Sequence, residues 1–101
     1  MIKIKVSKDG NIINKIIITG HANYAEYGKD IVCAAVSATV ITTLNGIIAI
    51  DNSILEVSSK QDKMIIDIKK EECISQILIN NMISCLKELV IEYPKNIKIE
   101  I

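Results

Sequence analysis

The chain has 101 residues, half of them hydrophobic but only 3% aromatic, with neither Trp nor Phe, so its core must be aliphatic and mainly isoleucine. That length implies one domain, large enough for a real core yet marginal in size. Twelve basic and twelve acidic residues give a formal net charge of zero, which offers no general attraction to nucleic acid or anionic lipid and argues against direct nucleic-acid binding.

Ile2, Ile4 and Val6 alternate with Lys3 and Lys5 and predict a half-buried strand. Asp9-Gly10 is a turn signal and Ile12 to Thr19 reads as a second strand, so the chain opens with a hairpin that delivers His21 to one end of a sheet. The alternating N-terminus lacks the apolar run and small-residue cleavage site of a secretory signal. Three widely spaced cysteines fit reduced thiols better than a disulfide framework. Both features point to a cytoplasmic protein.

Residues 31 to 50 carry no charge, which meets the length requirement of a membrane span. Ser37, Thr39, Thr42, Thr43, Asn45 and Gly46 interrupt that run, so the expectation is no membrane contact and a central helix buried on most of its circumference. Ile54 to Ser58 and Met64 to Lys69 predict a second hairpin around the polar turn Ser59-Lys60-Gln61-Asp62. From Glu71 the period becomes helical, with Ile74, Ile77, Leu78, Met82, Cys85, Leu86 and Leu89 as one stripe that Pro94 ends. Cys73 and Cys85 are expected in or near the core. Ile97, Ile99 and Ile101 make a last strand. The predicted order is β-β-α-β-β-α-β, an α+β domain with a mostly antiparallel sheet and two helices.

Chemistry concentrates between Gly20 and Ser37. This stretch holds His21, the only histidine, and Cys33, joined by a polar segment containing Tyr24 and Tyr27. Asp30 stands just before the apolar run, where a helix N-cap belongs. If it caps, Cys33 is the third helical residue. Backbone N–H groups and the helix dipole there favour a thiolate, partly opposed by the Asp30 carboxylate, and the same N–H groups are candidates for holding an oxyanion. His21 can serve as general base or as the imidazolium of an ion pair. Asp30 has a rival role as the orienter of His21. The bland alternative is an inert core cysteine and a structural histidine. Too few ligands lie together for zinc, so no metal and no cofactor is expected.

The run Gly20-His21-Ala22 followed by Glu26-Tyr27-Gly28-Lys29-Asp30-Ile31-Val32-Cys33-Ala34-Ala35-Val36-Ser37 resembles the signature of the ribosomal-processing cysteine protease family, Prp, and the order of the other elements fits the family over nearly the whole chain. The resemblance implies a single cysteine protease domain over residues 1–101, with Cys33 as nucleophile and His21 as base. Asp30, Ser37, Gly20 and Gly28 fall on further motif positions with supporting roles. Family members often carry more glycine in the loop between the two catalytic positions, where this chain has only Gly28. The implied partner is the precursor of large ribosomal subunit protein twenty-seven, whose short N-terminal extension is removed after a phenylalanine, and the implied assembly is a homodimer. Tyr24 and Tyr27 are candidates to contact that peptide or to cover the site. Two other classes fit the residues: a non-enzymatic ribosome-assembly or protein-binding module, and a thiol redox sensor or acyl-transfer enzyme.

Overall fold

The computed structural model describes residues 1–26 and 28–101. The elements are β1 (Ile2–Asp9), β2 (Ile12–Thr19), α1 (Ile31–Ile50), β3 (Leu55–Lys60), β4 (Lys63–Ile68), α2 (Cys73–Glu92) and β5 (Ile97–Glu100), in the predicted order. The strands form one sheet, β3-β4-β2-β1-β5. Three neighbouring pairs are antiparallel, and β5 lies parallel to β1.

The alternation in β1 buries Ile2, Ile4 and Val6 and leaves Lys3 and Lys5 exposed. On β2 the buried residues are Ile13 and Ile16, three apart and so on opposite faces of a regular strand. The ladder shifts register between Ser7 and Lys8, which pair with Lys15 and Ile13 respectively. That irregularity skips Asn14 and lets both isoleucines point into the core.

Both helices carry aliphatic stripes into this core and pack against each other. Each is also long and apolar enough to pass as a membrane span by length and composition. The α1 stripe is Val32, Val36, Val40, Leu44 and Ile47, one face at i, i+4 and i, i+3 spacing. It is one face and not most of the circumference, as the sequence suggested: Ile41, Ile48 and Ile50 stay exposed, because a helix lying beside α2 on a single sheet layer has only one flank to bury.

The α2 stripe is also displaced from the expected one. Ile79, Met82, Ile83 and Leu86 are buried with Ser75 and Gln76, whereas Ile74 and Ile77 are exposed, as is Cys73. Gln76 sets this phase. Its side chain accepts from the Ile13 N–H at 3.0 Å and donates to the Ile13 carbonyl at 2.8 Å, pairing with a main-chain unit beside the β2 irregularity. Burying a neutral amide is tolerable only because both its donor and acceptor functions are met.

Candidate active site

The second strand ends where the chemistry begins. Gly20 has φ +85° and its N–H bonds the Asp62 carbonyl at 3.1 Å. A Cβ at this position would collide with the Met1 carbonyl oxygen, so only glycine allows the chain to leave the sheet here. His21 follows at once. Ala22, 1% exposed, is fixed on both sides: its carbonyl accepts from Asn96 Nδ2 at 2.8 Å, and its N–H donates to Cys33 Sγ at 3.3 Å.

Asp30 is the N-cap of α1 and does more than cap. One carboxylate oxygen accepts from the N–H groups of Val32 and Cys33, both at 3.0 Å, and the other from those of Tyr24 at 3.0 Å and Ala25 at 3.5 Å. A single side chain therefore ties the loop to the helix start. The bond from the Cys33 N–H, reinforced by those from Tyr24, Ala25 and Val32, holds the Asp30 carboxyl below its ordinary value of 3.8, against partial desolvation that pushes it up.

Two expectations change in consequence. The helix-start N–H groups of Val32 and Cys33, proposed above for an oxyanion, are turned onto Asp30, because a carboxylate cap satisfies orphan donors that would otherwise face the cleft. The histidine is held by a different carboxylate, Asp62, whose Oδ1 lies 2.7 Å from His21 Nε2. Sequence reading placed Asp62 in a polar turn and gave it no task.

His21, Asn23, Gly28, Asp30, Cys33 and Ala34 line one open cleft of about 420 Å³. Asn23 sits in the left-handed region at φ 55° and Gly28 at φ +86°. Cys33 is half-buried and packs against the core, as the third residue of α1. Tyr24 turns its ring edge-on to Tyr93, with centroids 5.4 Å apart at 80°. Ser37 lies one helical turn beyond Cys33, exposed. Tyr27 lies outside the described residues.

A thiol and an imidazole lining the same open cleft suit acyl transfer from an extended chain, and the similarity to known proteins gives that class. The protein is a cysteine protease. The family model described as cysteine protease Prp matches residues 1–98, and the chain belongs to that family. It is similar to the ribosomal processing cysteine protease Prp of Staphylococcus aureus strain Mu50, 28% identical over 97% of this chain and 94% of that one. The Bacillus subtilis strain 168 protein of the same name is 45% identical over 46% of this chain and 41% of its own. Among solved structures, S. aureus Prp with a covalently linked product peptide superposes with a TM-score of 0.91 at 27% identity, over 99% of this chain and 98% of that one. The same protease with a substrate peptide gives 0.84 at 26% identity, over the same shares.

Proposed function

We propose that this chain is a ribosomal-processing endopeptidase working through a Cys33–His21 dyad, and that it removes the short N-terminal extension of large ribosomal subunit protein twenty-seven after a phenylalanine. The observation that carries the reading is that His21 and Cys33 line one cleft, with the Ala22 N–H directed at the sulfur. That N–H fixes where the sulfur sits at the cleft wall. The names of the relatives and the peptides bound to S. aureus Prp support the substrate class.

In this mechanism His21 takes the Cys33 proton and the thiolate attacks the scissile carbonyl carbon, giving a tetrahedral oxyanion. The imidazolium then protonates the leaving amine as the C–N bond breaks, leaving a thioester on Cys33. His21 next removes a proton from water, the hydroxide adds to the thioester, and collapse breaks the C–S bond; the imidazolium returns its proton to the departing thiolate, and the acid product ionises to solvent. Asp30 and Gly28 support this geometry by shaping the loop and Gly20 by placing His21; exposed Ser37, one helical turn beyond Cys33, and exposed Tyr24, in the loop, are the side chains offered to the peptide. The reaction takes place in the cytoplasm, and the exposed Ile41 and Ile48 of α1 are compatible with a homodimer.

Mass spectrometry of the ribosomal protein precursor from the same genome tests the assignment. Loss of a short N-terminal piece with the parent protein, and not with Cys33→Ala or His21→Ala, is the expected result. An intact precursor, or equal cutting by parent and Cys33→Ala, would overturn it in favour of a binding module.

A further inference from the structure

We propose that Asp62, at the tip of the β3–β4 hairpin, is a positioning residue that fixes the tautomer and orientation of His21; this rests on the dyad proposed above. The strand register puts it there. Thr19, the last residue of β2, is opposite Lys63, the first of β4, so the chain leaving β2 passes directly under the two-residue turn Gln61-Asp62. Asp62 then grips the departing chain twice. Its carbonyl accepts the Gly20 N–H at 3.1 Å, and its carboxylate meets His21 Nε2 at 2.7 Å.

Asp62 has φ 58°, a left-handed conformation that most side chains avoid and that Asp, Asn or Gly tolerates. The tight turn needs such a residue, and here the residue that fills it also carries the carboxylate that meets His21. The consequence for the ring is chemical. An ionised carboxylate is an acceptor only, so it binds the Nε2–H form and leaves Nδ1 as the nitrogen free to exchange a proton with the thiol, the leaving amine and water. A doubly protonated ring keeps the same contact, so its orientation is held through both halves of the proton exchange.

Stability does not explain the pair. The two side chains are 61% and 56% exposed, and an ion pair so open to solvent contributes little to folding. Its value lies in restraining a ring that would otherwise rotate and change tautomer.

Asp62→Gly is the informative variant, because glycine accepts the left-handed turn and keeps the carbonyl that holds Gly20, while the carboxylate is lost. Asp62→Asn keeps the turn and replaces the acceptor-only group by one that also donates. His21 is the sole histidine, so 15N-histidine labelling of the whole chain gives a single imidazole whose nitrogen shifts report the tautomer without any substrate. We expect the parent to show Nε2–H as the dominant neutral form, and Asp62→Gly to show a mixture. On the peptide substrate kcat should fall about tenfold to a hundredfold, part of what general acid–base catalysis contributes, with KM within about twofold and the melting midpoint little changed. An unchanged tautomer in Asp62→Gly, or unchanged kcat, would overturn the proposal. So would a fall in activity that merely follows a loss of folded protein. If the parent cuts no precursor, the dyad reading fails, and the nitrogen shifts still decide whether Asp62 sets the ring.

Discussion

The core and the cleft are built on opposite plans. Inside, nineteen buried hydrophobic side chains among the described residues, mostly isoleucine, share the task of excluding water, and any one of them has neighbours of the same kind. At the cleft, each task falls to one polar group: Asp30 joins loop to helix, Asp62 holds the histidine, and the Ala22 N–H meets the sulfur. Aliphatic burial is additive and forgiving in direction. Hydrogen-bonded positioning is singular, and its loss shows in activity before it shows in stability.

The widest separation should come from Asp30→Ala. It releases four backbone donors at once, and a displacement of order 1 Å at reacting groups can cost about a hundredfold in rate. Peptide cleavage should fall by about that factor while circular dichroism still reports a folded protein; equal loss of fold and activity would erase the contrast. Asp30→Asn sharpens it. The amide keeps one acceptor for Val32 and Cys33 but cannot accept from Tyr24 and Ala25, so a loss of about tenfold is expected, in the range of one charge-assisted hydrogen bond, with the helix intact.

The converse substitution lies in the core. Leu86 is fully buried, and Leu86→Ala should lower unfolding free energy by about 2–5 kcal/mol in urea titration, with kcat unchanged well below the transition. Gly20→Ala falls between the two plans. A left-handed alanine costs of order 1–3 kcal/mol, and its clash with Met1 displaces the neighbouring histidine, so stability and kcat should drop together.

The smallest effect is an acid one. Because folded Asp30 binds its proton less readily than the unfolded chain does, its contribution is complete above its ordinary value near 3.8 and disappears as pH falls through the lower folded value. Urea midpoints measured across that acid range should decline for the parent, and less steeply for Asp30→Ala. Asp51, held down first by the Ser53 hydroxyl, adds a slope of the same sign in both proteins.

Much of the fold is legible because local and global preferences agree. The Ile-Lys alternation makes β1, the Asp9-Gly10 turn closes a hairpin, and Asp30 starts α1 at the expected residue. Cys33 and His21 stand out as single examples of their type in a polar stretch. Asp62 does not, since 41 residues separate it from His21, and nothing local says that β4 lies beside β2. The α2 stripe is misread for another reason. Aliphatic residues surround the helix at 74, 77, 78, 79, 82, 83, 86 and 89, so periodicity allows more than one face.

What chooses among those faces is Gln76, and its position has a mechanical meaning. Aliphatic packing resists rotation through the fit of its side chains, but with apolar residues on several faces of α2 it does not by itself single out one setting. An amide latched to both polar atoms of Ile13 has one setting. It works as a detent: turning α2 by a single residue would break both bonds and bury two unmet polar groups. The helix is thereby indexed against the strand that leads to His21, and the frame around the cleft keeps its alignment from a contact at the strand's other end.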